Sequence, residues 1–185
     1  MRARGVDYFA REEPTTAPPK IKCNLEKNCE PGSFALRIKS GAASVVGQQY
    51  VSRVKRFNIV VVNGETETVD KMIFLNSKDG RSEDILEFLK KIEPGRIVLL
   101  ASFDDVTPSE ELLLLTDEIR GVLESMGSTL IKTLKSKDNW VFAGRVGATA
   151  KSPFEKMALN DPKTNTYDGW PEVVEISGCF PKNTL

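Results

Sequence analysis

Phe34 to Lys39 partly alternates apolar and polar residues, and Phe57-Asn-Ile-Val-Val-Val62 is a β-branched run; both patterns predict strands. Asn63-Gly64 follows the second run and leads into Glu67 to Phe74, so the spacing predicts an antiparallel hairpin whose turn residues take positive φ. A helix is then expected from Ser82 as N-cap. Glu83 and Asp84 occupy its first turn, Ile85, Leu86, Phe88, Leu89 and Ile92 lie on one side, and Pro94-Gly95 ends it. Arg96 to Phe103 is a continuous apolar run of strand length, which suits a strand in mid-sheet covered on both faces.

Thr107-Pro108-Ser-Glu110 reads as a capping box with proline at the first helical position. It opens a second predicted helix through Leu112, Leu115, Ile119, Val122 and Met126, stopped by Gly127. A strand is expected over Asn139 to Ala143, a short third helix from the similar Ser152-Pro153-Phe154-Glu155, and a closing strand over Glu172 to Ile176. Strands and helices intermix without a repeat, which favours an α+β sandwich over a doubly wound sheet.

The 185 residues suit one domain with a tail. Residues 1–20 are charged and Pro-rich, the composition of a flexible segment, leaving 21–185 as the globular part. Lys plus Arg and Asp plus Glu both number 26, so the positive field expected of a nucleic-acid binder is missing. The chain contains no histidine, which removes Ser-His-Asp, Cys-His and His-metal chemistry; no catalytic residue, metal or cofactor is expected. No apolar run approaches the roughly 18 residues of a transmembrane helix. The first residues lack the apolar core of a signal peptide, so either a leader is missing from this chain or the protein stays inside the cell.

Several stretches invite a site. Gly144-Arg-Val-Gly-Ala-Thr-Ala-Lys151-Ser152 resembles a phosphate loop, but a Walker loop needs glycine immediately before its lysine, where Ala150 stands. It reads instead as a Gly-rich turn. Asp104-Asp105 lies at the carboxyl end of the apolar run, where carboxylates can hold cations or sugar hydroxyls, although neighbours on an extended chain point to opposite faces. Arg53-Val-Lys55-Arg56 and Lys135-Ser-Lys137-Asp138 would form a basic rim or simply solvated faces. Trp140, within a strand, reads as core, whereas Trp170 between Gly169 and Pro171 reads as a ligand platform or a corner plug. Cys29 and Cys179 near the ends of the folded part would close a loop of about 150 residues, a constraint of roughly 5 kcal/mol in the chain-entropy model; two buried free thiols are the alternative. Cys23 is left odd.

An ordered set of segments resembles the interleukin-like epithelial-mesenchymal transition inducer family of cytokine-like proteins. It comprises Lys22-Cys23 with Cys29, Phe34-Ala35, Ser40-Gly-Ala-Ala-Ser-Val-Val-Gly47, Asn58-Ile-Val-Val-Val-Asn-Gly64, Phe103-Asp104-Asp105 and Met126-Gly-Ser128. Lys137-Asp-Asn-Trp-Val-Phe142, Lys151-Ser-Pro-Phe-Glu155, Tyr167-Asp-Gly-Trp-Pro-Glu172 and Gly178-Cys179 complete it. The resemblance implies a secreted, non-enzymatic signalling protein built from two antiparallel sheets packed as a sandwich with about three short helices around a polar cavity. Its partner would be a cell-surface receptor. Related domains in the stem of a protein O-mannose N-acetylglucosaminyltransferase are credited with sugar binding, which makes a lectin-like module, with a glycan as partner, the alternative. An intracellular interaction domain is a third reading, resting on the missing leader.

The chain departs from the family pattern between Gly47 and Phe57, where it is shorter and lacks the cysteine that would pair with Cys23. That implies a Cys29–Cys179 bridge and an unpaired Cys23 able to link two copies as a homodimer. Lys55 and Lys137 stand where the sugar-binding relatives have arginines, and a lysine cannot reproduce the planar guanidinium fork. Lys55, Asp104, Asp105, Lys137, Asp138 and Trp140 are the candidate ligand residues on this reading.

Overall fold

The computed structural model describes residues 29–40, 57–75, 82–102 and 115–183. The tail 1–20 lies outside them, as do Cys23, Lys55, Asp104, Asp105 and the Thr107 capping box.

Strand β1 spans Ser33–Lys39 and β2 spans Phe57–Asn63, followed by β3 over Thr68–Leu75, helix α1 over Ser82–Lys91 and β4 over Ile97–Ser102. Helix α2 covers Asp117–Ser125, a 3-10 turn Ile131–Thr133, β5 Asn139–Arg145, β6 Glu155–Ala158 and β7 Glu175–Pro181. A five-stranded antiparallel sheet runs in the order β3-β2-β4-β5-β6, and β1 pairs with β7 in a separate two-stranded ribbon. The apolar run at Arg96–Phe103 thus becomes the middle strand, and every residue of β4 is buried, as cover on both faces requires.

Side chains alternate along β5 and show what covers each face. The Arg145 guanidinium reaches the Lys182 carbonyl (3.0 Å) and lies over the Phe180 ring, so that face meets the ribbon and the segment after it. Trp140, Phe142 and Gly144 face the other way; a Cβ on Gly144 would collide with the Met126 carbonyl just past α2. Phe34, Leu36 and Ile38 fill the core from β1, while Ile85, Leu89, Ile119 and Leu123 fill it from the helices. The Cys29–Cys179 disulfide, with Cα atoms 5.6 Å apart, ties the segment before β1 to β7.

The closing strand, expected over Glu172 to Ile176, runs over Glu175–Pro181 instead, and three further expectations need correction. The hairpin forms, but its turn runs over Gly64–Glu67 and the second strand begins at Thr68 rather than Glu67. The Asn63 side-chain oxygen accepts from the Glu65 and Thr66 backbone N–H groups (3.0 and 3.4 Å), and Glu67, not Gly64, takes the positive φ of 56°. Gly64 serves close approach instead, since a Cβ there would lie 2.5 Å from the Lys182 carbonyl oxygen.

Secondly, α2 starts at Asp117. Thr116 is its N-cap, extended at φ −68° and ψ 163°, and its hydroxyl accepts from Ile119 N–H (3.3 Å), so the helical register does not run through from Leu112. Gly127 ends the element as expected, with φ 105°.

Thirdly, the third helix is strand β6, which leaves two α-helices among the described residues. The Ser152 hydroxyl donates to the Ala143 carbonyl and accepts from Phe154 N–H, turning the chain onto the free edge of β5. Residues 155–158 then pair with 139–142. The local grammar of a helix start is also that of a serine-stabilised turn, and the unfilled sheet edge decides between them.

Candidate functional site

Lys135–Asp138 forms a tight turn before β5, with Lys137 in the left-handed region at φ 62°. Asp138 closes it: one carboxylate oxygen accepts from Lys135 N–H (2.8 Å), the other from Asn160 N–H (2.7 Å), and the residue is buried. Its charge is therefore spent on two backbone donors of adjoining loops. The same turn holds the Lys137 ammonium 5.5 Å from the centre of the Trp170 ring.

Trp170 sits on a small hairpin whose Tyr167 and Trp170 exchange backbone hydrogen bonds (3.1 and 3.2 Å) around Gly169 at φ 76°. Asn139 anchors the following segment by donating its amide to the Glu172 carbonyl at 2.7 Å. Three loops are thereby locked together at one end of the sheet: the Lys135–Asp138 turn, the 159–165 loop and the 167–173 segment. Around them stand the exposed apolar side chains of the described residues, Leu159 (65% exposed), Tyr167 (56%) and Val173 (38%).

Trp140 is not part of this rim. It is fully buried, stacked on Phe142 with ring centroids 5.7 Å apart, and its indole N–H donates to Glu155 (2.9 Å). Of the six residues proposed from the sequence, Lys137 alone lies on the described surface. Asp138 and Trp140 are built into the scaffold beneath it, and Lys55, Asp104 and Asp105 lie outside the described residues.

Sequence reasoning missed the role of Glu155. Its carboxylate accepts from the Ser128 hydroxyl (2.5 Å), from Thr129 N–H (2.6 Å) and hydroxyl (3.0 Å), from Leu130 N–H (3.2 Å) and from the Trp140 indole. It holds the segment leading into the 3-10 turn against the Trp140 face of the sheet, with no sequence signal other than a glutamate on a short strand. The rim did have a signal, the Tyr-Asp-Gly-Trp turn grammar, but its pairing with Lys137 is long-range.

Fold and rim together define a disulfide-stapled α+β domain whose exposed cationic and aromatic side chains sit on interlocked loops. The chain belongs to the interleukin-like EMT inducer family: residues 56–148 match the family described as "Interleukin-like EMT inducer". It is 40% identical to Protein FAM3C of Rattus norvegicus over 180 residues, covering 91% of this chain and 77% of that protein. To Protein FAM3C of Homo sapiens it is 39% identical over 189 residues (96% and 80%), and to Protein FAM3D of Mus musculus 37% over 179 residues (90% and 78%). This cytokine-like membership supports a signalling protein. Among the described residues no helix is long and apolar enough to cross a membrane.

Proposed function

We propose that this chain is a secreted signalling protein that acts by binding a cell-surface receptor and catalyses no reaction. Its membership of a cytokine-like family over nearly its whole length carries the reading. The Cys29–Cys179 bridge adds support, because such bonds persist in oxidising, extracellular settings. The interlocked rim with Lys137, Tyr167 and Trp170 offers a contact surface of the usual kind, an amphipathic aromatic cluster on loops fixed by a rigid sheet.

The test is saturable binding of labelled, oxidised protein to a panel of cells, read together with a phosphorylation response. Tyr167→Ala and Lys137→Glu are expected to weaken binding by about tenfold each without moving the unfolding midpoint. Absence of saturable binding and of any response across the panel overturns the reading. Non-reducing electrophoresis of the same material shows whether Cys23 joins two copies, a dimer that belongs to this reading.

A further inference from the structure

Beyond β6, the edge of β5 is closed not by a strand but by the carbonyls of Phe154 and Met126, which accept from the Ala143 and Arg145 N–H groups (2.8 and 3.1 Å). Between the 148–154 loop and the end of β7 lies a cavity of about 230 Å³. We propose that this cavity is a binding site for a small organic anion with a compact apolar body, such as an aryl or short-chain carboxylate. The inference is independent of the signalling reading and concerns a different face from the Lys137–Trp170 rim.

The walls are apolar, with Met126, Pro153, Phe154 and Phe180 among them, and the Phe154 and Phe180 rings are 5.2 Å apart and tilted by 45°. Such a pair receives a planar or branched hydrocarbon by edge and face contacts. Charge in the lining has one sign only: Arg145 and Lys151 contribute, and no aspartate or glutamate does. The chain as a whole is neutral, so this excess is local.

Arg145 makes the excess costly. It is 7% exposed, and its guanidinium donates to the Gly95 and Lys182 carbonyls at 3.0 Å and to the Pro181 carbonyl, with the Phe180 ring beneath it. Carbonyl dipoles and a ring face soften a buried cation but do not neutralise it, and among the described residues no carboxylate pairs with it. Burial pushes the guanidinium below its ordinary value, in line with that cost. An anion entering the cavity brings a counter-charge to the wall that holds this cation, while its apolar body covers the aromatic walls. Lys151, exposed beside the mouth, adds attraction on approach.

The probes are phenylacetate and hexanoate, with their neutral amides and inorganic sulfate as controls, titrated into isotope-labelled full chain and followed by backbone amide NMR. The carboxylates are expected to saturate with a Kd on the order of 1 mM, perturbing residues 144–154 and 180–183, and the amides and sulfate to bind at least about tenfold more weakly. Arg145→Met removes a staple of the fold, so the decisive variants are at exposed positions. Lys151→Glu is expected to weaken the carboxylates by about fivefold, and Ala150→Phe, which fills the mouth, to abolish their binding with the unfolding midpoint unchanged. No saturation by about 20 mM, equal binding of the amides or of sulfate, shifts centred elsewhere, or indifference to both variants each overturns the proposal.

Discussion

Replacing Glu155 with alanine tests how the segment after α2 is held on the Trp140 face of the sheet. The carboxylate collects donors from Ser128, Thr129, Leu130 and Trp140, so its removal strands each to a different degree. The Trp140 indole N–H is the costly one, because the residue has no exposure and its N–H is directed at the half-buried carboxylate. Leaving such a buried donor unmade costs about 1–3 kcal/mol, and the loss of charge-assisted bonds to the 3-10 turn adds to it. Thr129 is exposed and regains water, so it adds little, whereas the buried Ser128 hydroxyl keeps accepting from Ile131 N–H but loses the acceptor for its own proton. The expected destabilisation is about 2–4 kcal/mol by urea unfolding, with an unchanged m-value. Glu155→Gln keeps one acceptor oxygen and should cost roughly half as much. In a double-mutant cycle, Trp140→Phe should be cheaper by about 1 kcal/mol in the Glu155→Ala background than in the native chain, because the indole donor is then already unmatched. A cost below about 0.5 kcal/mol for Glu155→Ala, or strict additivity in the cycle, refutes the hub.

Opening the Cys29–Cys179 bridge by double serine substitution frees a loop spanning a sequence separation of 150. The chain-entropy model puts the loss at about 5 kcal/mol, comparable with the whole stability of many domains, and a loss under about 1 kcal/mol in urea unfolding refutes the clamp. Two glycines should respond with opposite signs. Gly64→Ala forces a methyl against the Lys182 carbonyl and Ile97 and should destabilise by about 1–3 kcal/mol, whereas Gly121→Ala, in α2 with nothing within 4 Å, should stabilise by about 0.5–1 kcal/mol; a midpoint shift of the same sign in both contradicts the packing described.

What the amino-acid order determined by itself is the set of elements whose signals are local and repeated. The β-branched run of β2, the buried run of β4 and the amphipathic face of α1 appear close to where their patterns place them, because burial on a two- or 3.6-residue period is written into the composition of each segment. The absence of histidine likewise removes the chemistries that need an imidazole. Tertiary structure decided the rest. Ser152-Pro-Phe-Glu155 carries the grammar of a helix start, yet it turns into a strand at Glu155 because β5 has an edge to fill and Glu155 finds its donors 25 to 27 residues earlier in the chain. Lys137 meets Trp170, and Arg145 meets the chain after β7, only once the ribbon is laid across the sheet. Those contacts join residues far apart in sequence, and no local period or motif encodes which distant backbone oxygen or ring face a side chain will reach after folding.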